Sequence, residues 1–217
     1  MNPASTKWKV RCVIYDCDGV LFDSIETNRR FYNRICASMG RPALSELELQ
    51  YAHIHTVHES IRFLLRETPN LEGQAFELIQ QVDPMDFIPY LKMETNLLQT
   101  LSILKNREIL LVINTNRTTS MKYIMDRFNL WPHFDMVVTA LDVKNPKPHP
   151  ESIEKIMARF ALKKTETVFV GDSEIDKKTA ESAGILFVAY KTREIAEDAF
   201  IDDHLGLLNF LAQGRMA

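Results

Sequence analysis

Apolar segments of strand length alternate with amphipathic segments of helix length through the second half of the chain, and this alternation restricts the fold most. Such a pattern is typical of a parallel, doubly wound sheet, because each helix carries the chain back across the sheet before the next strand begins. The predicted strands are 108–114, 136–139, 167–171 and 185–189, and the predicted helices are 118–129, 150–161 and 173–183. We therefore predict an α/β fold with a doubly wound parallel sheet.

The first strand of this sheet is predicted far upstream, at residues 10–15, where a short apolar run is rich in β-branched residues. Between Ser24 and Leu91 the pattern is helical only, and the pairs Asp23 with Glu26 and Thr56 with Glu59 have the spacing of helix-capping boxes. We expect an α/β core of residues 1–23 and 92–217, and an inserted all-helical domain at 24–91.

Two aspartates, Asp16 and Asp18, follow the first predicted strand. Side chains two positions apart on a strand point to the same side, so the two carboxylates are expected to lie close together. Like charges at that distance raise one pKa strongly unless positive charge or a hydrogen-bond donor offsets them. The pair therefore implies a metal ion, a lysine or a shared proton.

Three later segments also place polar residues where a predicted strand ends or near such an end. Thr115 and Asn116 follow the second strand, Lys147 lies between two prolines, and the segment from Asp172 to Asp176 follows the strand at 167–171. In an open parallel sheet the carboxyl ends of the strands meet at one edge, where ligands bind. The sequence therefore predicts one site built from four separate segments.

These segments resemble, in order, the motifs of the haloacid dehalogenase superfamily of phosphohydrolases. The matching motifs are Asp-x-Asp-Gly-Val-x-x-Asp-Ser from Asp16, Thr115-Asn116, Lys-Pro-x-Pro from Lys147 and Gly-Asp-Ser-x-x-Asp ending at Asp176. The resemblance implies a Rossmann-like core and identifies the inserted helices as a cap that closes over the site. It also implies a phosphatase that uses Mg²⁺.

The chemistry of phosphoryl transfer suggests a role for each candidate residue. Positive charge must surround a phosphoryl group before an anion can reach it, and Mg²⁺ and Lys147 would supply that charge. Mg²⁺ prefers hard oxygen ligands, so Asp16 and Asp172 are predicted metal ligands. Asp176, one helical turn beyond Asp172, is predicted to fix a metal-bound water or orient Lys147.

The resemblance adds further roles. It implies that Asp16 attacks phosphorus to give an aspartyl-phosphate, and that the backbone carbonyl of Asp18 is also a metal ligand. Asp18 would then protonate the leaving alcohol and later deprotonate the attacking water. Thr115 and Asn116 are predicted to hold the phosphoryl oxygens that do not contact the metal.

The substrate is predicted to be a small phosphorylated metabolite, because the opening motif and the cap resemble phosphoglycolate phosphatases and β-phosphoglucomutases. The alternatives are a phosphosugar mutase and a phosphoaccepting signalling module, or a domain that only binds a metabolite. Three cap histidines, His53, His55 and His58, could face the leaving group or lie in a surface loop. The preferred substrate and the oligomeric state stay open at this point.

Composition excludes several other partners. The formal net charge is −3, with acidic and basic residues interspersed, so neither nucleic acid nor an anionic membrane is expected to bind. The first residues lack the apolar run of a signal peptide, and Cys12, Cys17 and Cys36 are predicted to be buried and unpaired. We expect a cytoplasmic protein.

Overall fold

The computed structural model describes residues 9–197 and 199–213. A parallel sheet of six strands forms its centre, in the order β5-β4-β1-β6-β7-β8, and an antiparallel pair, β2 and β3, lies outside it. The strands are β1 (Cys12–Tyr15), β2 (Phe22–Asp23), β3 (Lys92–Met93), β4 (Leu110–Asn114), β5 (Met136–Val138), β6 (Thr167–Gly171), β7 (Leu186–Tyr190) and β8 (Phe200–Ile201). The order is that of a doubly wound sheet, as predicted.

The described residues form helices on both faces of this sheet and between β2 and β3. The helices are α1 (Ile25–Ser38), α2 (Glu46–Ile54), α3 (Val57–Leu64), α4 (Glu72–Gln81), α5 (Leu97–Asn106), α6 (Ser120–Arg127), α7 (Glu151–Phe160), α8 (Glu174–Ala183) and α9 (His204–Ala212). Within these described residues, no helix combines the length and the apolar character that crossing a membrane requires. The first eight residues, on which the signal-peptide prediction rests, lie outside the described part.

The central strand β1 shows how the core forms on both faces of the sheet. Val13 and Tyr15 pack into one apolar cluster together with residues of α5, α6 and α9. Cys12 and Ile14 point the other way, into a cluster with residues of α7 and α8. Because side chains alternate along a strand, a run that is apolar at every position is buried on both sides.

The segment between β2 and β3 contains helices and short helical turns only, and it has an apolar cluster of its own, drawn from residues 32–87. This arrangement agrees with the predicted helical insertion, while the exact division of the chain at residues 24 and 91 stays a prediction. The capping box of Thr56 and Glu59 is confirmed at the start of α3. The cysteines Cys12, Cys17 and Cys36 are free and buried, as expected.

The capping box predicted for Asp23 and Glu26 is wrong. Asp23 belongs to β2, where it pairs with Lys92, and α1 begins after Ser24 without a side-chain capping hydrogen bond. The spacing of the two residues was right for a cap, but pairing with β3 holds Asp23 in an extended conformation instead. The predicted strand and helix bounds in the second half differ from the observed ones by no more than two residues.

Candidate active site

The sheet order brings three of the predicted site residues together. Strand β1 lies between β4 and β6, so the residues that follow these three strands, Asp16, Thr115 and Asp172, are neighbours at one edge. The backbone N–H of Asp16 donates to the Val170 carbonyl at 3.0 Å, which continues the pairing of β1 with β6 past the strand end. Asp16 is thereby held beside the end of β6.

Lys147 reaches this edge from the loop before α7. Its ammonium group donates to Oδ1 of Asp16 at 2.7 Å and to Oδ1 of Asp176 at 2.6 Å, and the residue is 4% exposed. Burial disfavours the ammonium form, but the charges of Asp16 and Asp176 outweigh burial and raise the pKa of Lys147. The lysine is therefore a fixed positive charge between two carboxylates.

Asp176 is fully buried and has both carboxylate oxygens occupied. Oδ1 accepts from Lys147, and Oδ2 accepts from the Ser173 hydroxyl at 2.6 Å. The Ser173 hydroxyl also accepts from the Asp176 backbone N–H, so the two residues form the capping box that opens α8. Asp176 thus contacts Lys147 directly, as one of its two predicted roles requires, and the role itself stays a prediction.

Asp172 has a different environment. Its carboxylate lies within 4.8 Å of those of Asp16 and Asp176, and among the described residues its side chain has neither an ion-pair nor a hydrogen-bond partner. Burial and the charges of Asp176 and Asp16 raise the pKa of Asp172 well above its ordinary value. Burial and Asp176 likewise raise the pKa of Asp16, although Lys147 opposes this shift. Three carboxylates share one ammonium group here, and another cation would stabilise their charged forms.

Gly19 explains how Asp172 comes so close to the first motif. Gly19 has a φ of +76°, and a Cβ atom at this position would lie 1.8 Å from Oδ2 of Asp172. A side chain of any other residue would therefore occupy the place of the carboxylate. The glycine that follows Asp18 makes room for Asp172.

The side chain of Asp18 is not part of the carboxylate cluster. Arg117 donates to it through two hydrogen bonds, from Nε to Oδ2 at 2.7 Å and from Nη2 to Oδ1 at 2.6 Å. Burial favours the neutral carboxyl, but the charge and hydrogen bonds of Arg117 outweigh burial and hold the pKa of Asp18 below its ordinary value. Asp18 is therefore a partly buried, ionised carboxylate in this structure.

Thr115 and Asn116 line the same cavity as Asp16 and Lys147. The Thr115 hydroxyl accepts from the Arg117 backbone N–H at 3.1 Å and keeps its own proton to donate. The Asn116 amide donates to the Lys147 carbonyl at 3.3 Å and so contacts the loop that carries the lysine. Their predicted contacts with substrate stay predictions.

Sequence reasoning missed Arg117, although this residue directly follows Thr115 and Asn116 at a strand end. Its position next to two candidate residues was the available signal. It also missed Asn28, whose side chain amide lies 2.9 Å from Nδ1 of His53. No local pattern marks that contact, because the two residues come from different helices.

Comparison with known proteins places the chain in a family. The family model described as haloacid dehalogenase-like hydrolase matches residues 13–190. A crystal structure of a haloacid dehalogenase-superfamily hydrolase, subfamily IA, from Geobacter sulfurreducens is 37% identical, with a TM-score of 0.81. The match covers 93% of this chain and 99% of that one. The chain belongs to the haloacid dehalogenase-like hydrolases, and the predicted family and fold class are confirmed.

Two curated relatives carry more specific names. A phosphorylated carbohydrates phosphatase of Thermotoga maritima is 26% identical over 185 residues, which is 81% of this chain and 82% of the relative. A phosphoglycolate phosphatase of Photorhabdus laumondii is 27% identical over 188 residues, which is 81% of this chain and 77% of the relative. Both are similar to this chain along most of its length.

Proposed function

We propose that this protein is a Mg²⁺-dependent phosphatase that hydrolyses a small phosphorylated metabolite through an aspartyl-phosphate on Asp16. Membership of the haloacid dehalogenase-like hydrolases makes the chain a hydrolase, and its phosphatase relatives support the reaction type. The single observation that carries the proposal is the contact of Lys147 with both Asp16 and Asp176, next to the Asp172 carboxylate, which has no partner among the described residues.

The residues at this edge fit a magnesium ion. Carboxylate oxygens are hard ligands, and those of Asp16 and Asp172 lie close enough to share one cation. Both carboxylate oxygens of Asp176 already accept hydrogen bonds, from Lys147 and from Ser173. Asp176 would therefore position Lys147 rather than bind the metal. We propose Asp16, Asp172 and the backbone carbonyl of Asp18 as ligands. When bound, Mg²⁺ would supply positive charge to offset that of the phosphoryl oxygens.

The side chains suggest an order of events at phosphorus. Lys147 holds Oδ1 of Asp16, so Oδ2 is the oxygen that is free to attack. A bond forms between Oδ2 and phosphorus, the ester bond breaks, and the leaving oxygen takes a proton from Asp18. Water then attacks phosphorus, and Asp18 accepts a proton from that water. Phosphate is released, and the Asp16 carboxylate is restored.

Arg117 imposes a condition on this sequence. Asp18 is ionised while it is bound to the guanidinium group, so its carboxylate must leave Arg117 and take up a proton from water before it can protonate the leaving oxygen. Thr115, whose hydroxyl proton is uncommitted, and Asn116 are proposed to bind phosphoryl oxygens at the same edge. Positioning of this kind supplies much of the rate acceleration in phosphoryl transfer.

The helical segment at 24–91 is proposed to act as a cap that closes the site. The cavity holds about 890 Å³ and is lined by motif residues on one side and by cap residues, among them Phe31, Tyr32 and His53, on the other. We propose a phosphoglycolate-like substrate, because one relative is named a phosphoglycolate phosphatase. The phosphate group of such a molecule would bind at the motif residues of the core.

The test is a screen of phosphorylated metabolites against the pure protein with Mg²⁺, with phosphate release as the readout. We expect release with at least one small phosphate monoester, loss of release with a chelator, and recovery when Mg²⁺ is added back. Asp16→Asn should lower turnover by more than about 1,000-fold, because no side-chain nucleophile remains. Phosphate release that is unchanged by the chelator, or that persists in Asp16→Asn, would refute the proposal.

The same screen separates the alternatives. A phosphosugar mutase would convert one sugar phosphate to its isomer with little phosphate release. A signalling module would keep a stable phosphoryl group on Asp16 and release phosphate slowly or not at all. Either pattern would replace the phosphatase assignment.

A further inference from the structure

The cap contributes one polar pair to the cavity, formed by His53 of α2 and Asn28 of α1. Nδ1 of His53 lies 2.9 Å from Nδ2 of Asn28, and both residues line the cavity. An amide nitrogen can donate a hydrogen bond but cannot accept one, so Nδ1 of the histidine is the acceptor. The proton of the neutral imidazole is therefore on Nε2.

The other ring nitrogen of His53 is available to a ligand. Within the described residues, Nε2 has no hydrogen-bond partner, whereas Nδ1 is held by Asn28. Burial lowers the pKa of His53, and the charge of Asp18 reverses only part of that shift, which keeps the ring neutral. The Nε2–H of His53 is therefore a hydrogen-bond donor of fixed position that lines the cavity.

His53 lines the same cavity as the groups that would meet the leaving alcohol. Asp18 and Arg117 both border this cavity, and their charges act on the His53 ring. On the proposed function, Asp18 protonates the leaving oxygen, so the alcohol portion of the substrate must extend from Asp18 into the space between core and cap. His53 borders that space.

The other two cap histidines, His55 and His58, also line the cavity, but their rings are stacked on aromatic neighbours. Nδ1 of His55 bonds to the Tyr51 carbonyl at 2.9 Å, and its ring stacks on the Tyr51 ring at 3.8 Å between centroids. His58 stacks on Phe76 at 4.7 Å. Of the three histidines, His53 is the one whose Nδ1 is held by the side chain of another cavity residue, Asn28.

We propose that His53 is a specificity-determining residue, which donates its Nε2–H to an oxygen on the alcohol portion of the substrate, with Asn28 as the residue that positions it. This inference rests on the proposed function and narrows the class of substrates. The favoured substrates are phosphate monoesters whose alcohol carries a carboxylate, hydroxyl or carbonyl oxygen. Esters of simple alkyl alcohols lack that acceptor and leave the donor unpaired, which is costly in a buried site.

The test compares two probes of equal carbon number, 2-phosphoglycolate and ethyl phosphate, with Mg²⁺ present. The quantity measured is the ratio of their kcat/KM values in the wild-type protein, in His53→Phe and in His53→Gln. His53→Phe keeps an aromatic ring and removes the donor, so the ratio should fall by roughly 10- to 100-fold. His53→Gln retains an N–H and should recover part of the ratio. His133→Phe makes the same substitution at a histidine that is not among the cavity-lining residues and should leave the ratio unchanged.

Asn28→Ala tests the positioning role. Without the amide, Nδ1 loses its donor, so the ratio should fall by less than in His53→Phe, and mainly through KM. Nitrogen-15 NMR of the histidine rings gives a readout that does not depend on turnover. It should show the Nε2-protonated form of His53 in the wild-type protein and a mixture of both forms in Asn28→Ala.

Three outcomes would overturn the proposal. One is an unchanged substrate ratio in a folded His53→Phe variant, and another is an equal fall of the ratio in His133→Phe. The third is a wild-type His53 that is protonated on Nδ1. Failure of the proposed function is distinct, because the wild-type protein would then hydrolyse no phosphate ester, and the NMR result would still decide the state of the ring.

Discussion

At the residue scale, the site depends on charges that are close together and largely shielded from solvent. Lys147 offsets Asp16 and Asp176 through hydrogen bonds of 2.7 and 2.6 Å, and Asp172 stands within the same cluster without a partner among the described residues. Removing a partner from a buried ion pair leaves an uncompensated charge, which costs more than the pair contributes. Single substitutions here should therefore have large and specific effects.

Gly19→Ala should impair metal binding, because its Cβ would lie 1.8 Å from Oδ2 of Asp172 and displace that carboxylate. We expect the Mg²⁺ concentration for half-maximal activity to rise by at least about tenfold, on the scale of losses seen when support for a metal ligand is removed. A magnesium titration of activity measures this. Gly40→Ala is the matched control, since Gly40 has a φ of +70° and a Cβ atom there would meet nothing within 4 Å. If the Mg²⁺ concentration for half-maximal activity rose equally in both variants, backbone strain alone would explain the weaker metal binding.

Lys147→Met should destabilise the fold by about 3 kcal/mol or more, because it leaves Asp16 and Asp176 without their cation. Added Mg²⁺ should restore part of the free energy of unfolding, since it binds the folded state, but should not restore activity. Denaturant unfolding with and without Mg²⁺ measures the first effect. Lys191→Met removes an exposed lysine that pairs with Glu94 at 2.6 Å and should cost less than about 1 kcal/mol. Similar losses in the two variants would contradict the buried-pair account.

At the scale of helices and strands, the features predicted best from the sequence were those that depend on neighbouring residues, such as the starts of helices. Thr56 caps α3, as its spacing to Glu59 predicted, and α8 begins within one residue of the predicted helix start at 173. The box at Asp23 failed because pairing with β3, which lies beyond the whole helical insertion, decides the conformation of that residue. The contacts of Arg117 with Asp18 and of Asn28 with His53 were not predictable for the same reason. They depend on how separate elements pack, and no short pattern encodes them.

The capping box at the start of α2 leads to a pH prediction. Burial opposes ionisation of Glu48, but hydrogen bonds from Ser45 and Arg41 outweigh it and lower the pKa of Glu48 from 4.5 to about 2. Because the folded-state pKa is the lower one, the ionised group stabilises the fold above about pH 4.5, and this contribution is lost as the pH falls toward 2.

Glu48→Ala should therefore lower the free energy of unfolding by about 1–2 kcal/mol at pH 7, from loss of the cap and its charged hydrogen bonds. The difference from the wild-type protein should shrink as the pH is lowered from 4.5 toward 2. Urea unfolding at a series of pH values measures it. Glu67→Ala, at an exposed glutamate, should change stability by no more than about 0.5 kcal/mol. A Glu48→Ala difference that stays constant across this pH range would contradict the assignment.

At the scale of the whole molecule, the fold brings together residues that are far apart in sequence. Asp16 and Lys147 are 131 positions apart and share a hydrogen bond, because β1 is central and the loop before α7 ends at the same edge. The order of motifs along the sequence was enough to predict this convergence, since parallel strands align their carboxyl ends. The shape of the cavity and the cap residues that line it were not predictable, because the insertion forms its own core and its placement over the sheet has no local signal.

The central claim is that Asp16 is phosphorylated during turnover, and peptide mass spectrometry of the Asp18→Asn variant tests it most directly. Without the Asp18 carboxylate, hydrolysis of the intermediate should be slow, so the phosphoryl group should accumulate. After incubation with Mg²⁺ and the phosphate ester that the wild-type protein hydrolyses fastest, we predict a phosphoryl group on Asp16. A phosphoryl group on another residue, or phosphate release by this variant at the wild-type rate with Asp16 unmodified throughout, would contradict the account.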